Sequence, residues 1–263
     1  MSSGEAKKWY VILPFLSVGL ILLGWSYIAA QPGSLFPSIA ATMKRFAEIC
    51  VKPLSGATLA GHVAMSLKRV LGAYFIACVA GIALGVCIGW FENFGAIVNP
   101  IFCLIRSVPA IAWIPLAILW FGIGETPKMF IIFMGSFVPV CMNTEAGMRS
   151  IDKLMLDAGK ALGANKSQML INVAFPSAMP AILAGIRTGL STAWLCVLAA
   201  EMIVSRKGIG FLILQGQNIS DMALIIACMV VIAIVNSILS TLLVKLEGVI
   251  CPWLFDKKTK KKK

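Results

Sequence analysis

From Val70 to Trp90 the chain carries no charged residue, and wound as a helix this stretch is long enough to cross the roughly 30 Å hydrocarbon core of a bilayer. Inside lipid every backbone N–H and C=O must find its partner within the chain, so an unbroken run of this kind folds as a helix or not at all. Comparable runs cover about residues 9–30, 129–148, 181–204 and 222–244. A further apolar stretch, ending near Phe121 and Gly122, is interrupted by Arg106, Ser107, Pro109 and Pro115 and is therefore predicted as a broken helix. Hydrophobic residues make up 59% of the chain and charged ones 13%, with a mean hydropathy of +0.92, against about 25% charged residues in a soluble domain. The expectation is an all-α integral membrane protein with six transmembrane helices, which places both ends on one side.

Read in order, residues 1–8 form a short N-terminal segment carrying Lys7 and Lys8, and 9–30 is span one. That run exceeds the 7–15 apolar residues of a secretory signal, and no small-residue cleavage site precedes Pro32. Residues 31–69 are polar enough to leave the bilayer. Within them Ser38 is positioned to cap an amphipathic helix over Ile39 to Val51, with Ile39, Met43, Phe46 and Ile49 with Cys50 on its apolar face. The core of five spans, residues 70–244, opens with Ala77, Gly81, Gly85 and Gly89 at four-residue spacing, a ridge that lets a second helix approach closely. The eight cysteines include no CxxC pair, and Cys78, Cys87, Cys103, Cys196 and Cys228 lie in apolar runs as small buried hydrophobes.

The polar loop 149–180 breaks this pattern. Its segment Asp157 to Pro176 places Ala158, Ala161 and Leu162 on one side of a short helix, with Lys160 and Lys166 on others, and Gly163 is suited to end that helix in the left-handed conformation. A compact helix of this kind fits a groove on a partner protein; the alternative is a loop helix lying on the membrane surface. The spacing Asp157-Ala158-Gly159, three residues, Gly163, nine residues, Val173-x-Phe175-Pro176 resembles the signature loop of ABC-importer permeases, in which Glu-Ala-Ala, Gly and Ile-x-Leu-Pro stand at these intervals. Asp replaces Glu, Gly replaces the second Ala, and Val and Phe replace Ile and Leu. The resemblance extends through Ser66-Leu67-Lys68-Arg69-Val70, Gly185-Ile186-Arg187 and Ala200-Glu201, short matches similar to the nitrate, sulfonate, bicarbonate and taurine branch. It implies a type I importer fold whose cytoplasmic coupling helix, between spans four and five, seats Asp157, Ala158, Gly159, Ala161, Leu162, Gly163, Val173 and Pro176 on an ATPase subunit. It also implies a gate loop outside the membrane that contains Gly208 and Gly210, counted from Glu201.

No GxxxxGK[ST] motif occurs, so the chain lacks the glycine framework that cradles nucleotide phosphates and is not itself expected to be an enzyme. The resemblance implies ATP and Mg on a partner ATPase and no cofactor on this chain. Expected partners are that ATPase, a second copy of the chain, an extracytoplasmic solute-binding protein and membrane lipid. The formal charge of +12 is concentrated in the tail 245–263, at Lys257, Lys258 and Lys260 to Lys263, and a basic tail after a span faces anionic cytoplasmic lipid rather than nucleic acid. With that tail counted, more Lys and Arg lie inside than outside, which fits a bacterial cytoplasmic membrane protein with both termini cytoplasmic.

Ionisable residues within spans are functional candidates because hydrocarbon penalises them by at least about 2.5–3.5 kcal/mol. Arg106, Arg187 and Glu201, with Trp194, are the candidates for a substrate path. Arg187 is equally read as a helix-pairing arginine near the surface, Glu201 as a salt-bridge partner of Arg206 or Lys207, and Trp194 as core. The family branch implies nitrate, sulfonate, taurine or bicarbonate as solute, with a thiamine-precursor pyrimidine as the alternative. A secondary transporter would require coupling-ion carboxylates, and a membrane enzyme a His/Asp/Glu cluster that the single histidine, His62, does not supply.

Overall fold

The computed structural model describes residues 3–252, with side chains of the first helix described at 13 and from 16 onward. The helices are α1 (Ser3–Ala29), α2 (Ile39–Val51), α3 (Leu59–Trp90), α4 (Glu92–Ser107), α5 (Ile114–Phe121), α6 (Glu125–Arg149), α7 (Lys153–Ala161), α8 (Lys166–Gln168), α9 (Phe175–Val204), α10 (Ile209–Asn218) and α11 (Met222–Ile250). A tight helical turn at Ala110–Trp113 precedes α5, and a wider, π-helical segment at Met169–Ala174 joins α8 to α9. No β-strand occurs among the described residues.

Among the described residues four helices are long and apolar enough to cross a membrane: α3, α6, the continuous α8–α9 helix Lys166–Val204, and α11. A pair bent by 86°, α4 with Ala110–Phe121, is long and apolar enough only when its two halves are taken together. The expected first span lies in α1, whose described apolar part is Leu16–Ala29; the basic tail from residue 253 lies outside the described residues. Helices run beyond the apolar stretches that announce them. α3 begins at Leu59 rather than Val70, α4 at Glu92, and α9 at Phe175 rather than Ala181, because hydropathy marks the lipid-facing length while backbone hydrogen bonding continues into polar ends.

The chain divides into two compact units. The first combines residues 3–60 with 212–231. Ser38 Oγ accepts from the Ala41 amide and caps α2, as its position predicts. Of the expected apolar face of α2, Ile49 is buried and Ile39 and Phe46 are half-buried, whereas Met43 and Cys50 are exposed and Thr42 is buried in addition. Arg45 on that helix pairs with Asp221 at 2.8 Å and with Glu48 at 3.0 Å.

The second unit combines 61–211 with 232–252, and in it α6 packs extensively on α9. α3 packs on α6 through the small-residue ridge. A Cβ added at Gly85 would stand 2.6 Å from Thr144 Cβ, so only a bare α-carbon allows this approach. Met148, Ala174, Ala178 and Ile182 build one core cluster, with Trp90 packed against it; Ile88, Phe102 and Cys141 build another. The α4–α5 break has a local cause. Pro109 forces Val108 into an extended conformation (φ −88, ψ 118) and stops α4 at Ser107. Pro115 then opens α5, and Gly122, with φ 72, closes it. The axes on the two sides differ by 86°.

Candidate functional site

Three places concentrate the unusual chemistry, and the first is α7. Asp152 caps its start by accepting from the Leu154 amide. At its end the Gly163 amide donates to Lys160 O at 2.9 Å and the Ala164 amide to Gly159 O at 3.1 Å, with Gly163 at φ 78. This paired closure around a left-handed glycine is the Schellman arrangement. Two residues expected on the partner-facing surface turn inward instead. Gly159 is buried against Met169, where a Cβ would stand 2.5 Å from the sulfur, and Val173 lies beside it. That contact accounts for glycine where the signature has alanine. The outward side carries Leu154, Met155, Ala158, Ala161 and Leu162, all exposed, Leu162 at 89%. Asp157 accepts from Lys160 at 3.3 Å in open solvent, a pair worth little. Pro176 opens α9.

The second place is the break between α4 and α5. A cavity of about 300 Å³ opens there, bounded by Arg106 and Trp113 from the broken segment, Met134 and Met142 from α6, and Thr192 and Cys196 from α9. Met134 to Met142 occupy the middle of α6, so the cavity lies at mid-length of a helix long and apolar enough to cross a membrane. Of the four substrate-path candidates only Arg106 reaches it. Trp194 is buried elsewhere on α9, its indole N–H without an acceptor among the described residues. Arg187 pairs with Glu247 of α11 at 3.0 Å, the helix-pairing role weighed for it.

The third place is a buried ionic cluster around Glu201, which has no solvent exposure. One carboxylate oxygen accepts from Arg69 at 2.7 Å and from Ser66 at 2.7 Å; the other accepts from Ser66 at 2.9 Å and from the Gly210 amide at 2.9 Å. Glu201 therefore does not pair with the side chain of Arg206 or Lys207. Lys207 contributes only its backbone carbonyl, which accepts from Arg69 at 2.7 Å. Arg69 also holds Glu125 through two nitrogens, at 2.6 and 2.7 Å, and Glu125 in turn accepts from Lys128 at 2.7 Å. The Gly208 amide donates to His62 Nδ1 at 3.0 Å and the Ile209 amide to Ser66 Oγ at 3.0 Å. Gly208 and Gly210 are thus brought together with Glu201, as a single loop-anchoring cluster. The motif match at Ser66 to Arg69 contained two of its members, but nothing local in the sequence pointed to His62, Glu125 or Lys128.

Residues 77–254 match the family model described as the binding-protein-dependent transport system inner membrane component. The chain belongs to this family. The permease is 38% identical over 197 residues to the taurine transport system permease protein TauC of Escherichia coli, covering 75% of this chain and 72% of TauC. It is 31% identical over 247 residues to the nitrate import permease protein NrtB of Synechocystis, covering 92% and 90%. It stands in the nitrate, sulfonate and taurine branch of ABC-importer permeases. Its fold is that of an inward-facing MetNI methionine ABC transporter chain, with a TM-score of 0.62 at 19% identity over 73% of this permease and 95% of that chain. Membership of the importer family implies an ATPase and a solute-binding protein as partners, and an integral membrane location for the permease itself.

Proposed function

We propose that this permease carries a small solute of the nitrate, sulfonate, taurine or bicarbonate class into the cell by alternating access, driven by ATP and Mg bound on a separate ATPase subunit. Two copies form the pore, both termini and the loop 149–180 face the cytoplasm, and the solute-binding protein docks on the opposite side. The observation that carries this reading is α7. It presents Leu154, Met155, Ala158 and Leu162 to the outside on a helix too short to cross lipid, closed by Gly163 at the signature spacing. Apolar side chains exposed together in a polar loop are suited to a groove on a partner.

In this reading α7 seats on the ATPase. Movement of the nucleotide-bound subunits shifts α7, and its packing through Gly159 on Met169 passes the shift to the foot of α9. The test is uptake in proteoliposomes that contain permease, ATPase and binding protein. Import that stops when ATP is withheld and persists when the ion gradient is collapsed supports it. Import that follows the gradient and ignores ATP identifies an ion-coupled secondary transporter instead.

A further inference from the structure

We propose that the cavity at the α4–α5 break is a solute subsite that takes a small organic oxyanion with a short apolar chain, of the sulfonate class, in preference to a bare inorganic oxyanion. This rests on the transport reading above and narrows it. The position comes first. Non-helical backbone at membrane depth persists where protein covers it or where it lines a cavity, and broken helices supply solute sites near the middle of the bilayer in other transporters. Here the 86° break and the middle of α6 face the same space of about 300 Å³, at the lower end of the roughly 300–1,000 Å³ of ligand pockets.

Charge comes second. Arg69, Arg149 and Arg187, on α3, α6 and α9, are each paired with a carboxylate at 3.0 Å or less. Arg106 is paired with none among the described residues, and it is the one charged residue in the cavity wall. Arg106 is an exposed residue that lines this space, and an unpaired guanidinium inside a broken span is best satisfied by an oxyanion that takes two of its N–H groups at once. Trp113, in the same wall, carries a buried indole N–H with no acceptor among the described residues, a donor that a further anion oxygen would satisfy.

The rest of the wall decides between anion classes. Met134, Met142 and Leu195 offer no hydrogen bonds, and the Thr192 hydroxyl donates back to the carbonyls of Thr188 and Gly189 within α9. A nitrate or bicarbonate ion would turn polar atoms toward these side chains and lose water there without compensation. An alkanesulfonate presents its oxygens to Arg106 and its chain to the methionines and Leu195.

The experiment uses the permease–ATPase complex in lipid nanodiscs without binding protein, with radiolabelled butanesulfonate as probe and unlabelled nitrate as competitor. Wild type should bind butanesulfonate saturably, with nitrate competing at least about tenfold more weakly than unlabelled butanesulfonate. Arg106→Gln should lose about tenfold or more in affinity while Arg106→Lys keeps part of it. Leu195→Trp, which fills the cavity from α9, should weaken butanesulfonate binding with Arg106 intact. Each variant is first shown to co-purify with the ATPase. No saturable binding to wild type, undiminished binding by Arg106→Gln, or nitrate competing on equal terms overturns the subsite. ATP-driven uptake in the presence of binding protein separates the two levels. If wild type imports butanesulfonate, taurine or nitrate and Arg106→Gln imports it equally well, the subsite alone fails; if wild type imports none of them, the anion-transport reading fails with it.

Discussion

Arg69 and Glu201, 132 residues apart in the chain, meet at 2.7 Å with 5% and 0% of their side chains exposed. Two buried charges are tolerable because each is multiply hydrogen-bonded, Glu201 by Ser66 and the Gly210 amide, Arg69 by Glu125 and the Lys207 carbonyl. Removing one partner leaves the other charged and unpaired. Arg69→Ala should therefore lower stability by about 3–5 kcal/mol, and the double variant Arg69→Met with Glu201→Leu should recover much of the loss. Thermal unfolding of the detergent-solubilised permease measures both, and a double variant no more stable than Arg69→Ala would refute the account.

Gly208 closes over the same carboxylate. With φ at 131, a Cβ there would collide with the carboxylate of Glu201, so Gly208→Ala must displace either the loop or the ion pair. Gly122→Ala, at φ 72 and ψ −170 with no atom within 4 Å of its Cβ, meets only the backbone cost of about 1–3 kcal/mol for a conformation that glycine alone adopts readily. The expected order in a thermal-shift series is wild type, then Gly122→Ala, then Gly208→Ala well below both.

The α3–α6 crossing gives a second contrast between glycines. At Gly85 the nearest obstacle to a Cβ is Thr144 Cβ at 2.6 Å; at Gly72 it is the end of the Met129 side chain at 3.4 Å. Gly85→Leu should prevent accumulation of folded permease, whereas Gly72→Ala should express at wild-type level. Fluorescence-detected size exclusion of tagged variants separates these outcomes.

Gly163 tests the coupling proposal. Nothing lies within 4 Å of a Cβ placed there, so substitution acts through φ alone. Gly163→Val should leave the membrane helices inserted and the protein expressed, while opening the end of α7 at about 1–2 kcal/mol and abolishing solute-stimulated ATP hydrolysis or ATPase co-purification. Ala161→Ser should change neither. Normal uptake by Gly163→Val would remove α7 from the coupling role.

Arg187→Gln should transport at the wild-type rate at equal membrane levels. The Arg187–Glu247 pair joins α9 to α11 away from the cavity wall, with the arginine 42% and the glutamate 14% exposed, so its loss acts on helix pairing rather than on the solute path. A transport defect at equal expression would return Arg187 to the substrate path.

What was legible in the sequence was whatever has a local cause. Pro109 announces the break because a proline restricts the residue before it; Ser38 announces α2 because a hydroxyl there caps the following amides; the glycine ridge announces a close helix because small residues recur on one face. The Glu201 cluster was not legible. Arg206 and Lys207 are its neighbours in sequence, while Arg69 and Ser66 become neighbours only when α3 packs alongside α9. The inward turn of Gly159 and Val173 likewise depends on Met169 folding back beneath α7. The cavity at Arg106 lay between these cases, since the break and the charge were both visible but the α6 and α9 walls were not.

The unbroken path from α8 through the π-helical segment into α9 has a mechanical consequence. Lys166 to Val204 is a single helix of 39 residues, roughly 58 Å long at 1.5 Å per residue, with the capping box of Asn165 and Gln168 at one end and Glu201 near the other. No loop interrupts it, and its π-helical turn and Pro180 both lie toward the α7 end. A tilt imposed where α7 rests against Met169 would be carried like the motion of a lever to the far end, where Glu201 grips the amide of Gly210. A stroke applied on one face of the membrane would then arrive on the other as a pull on a loop.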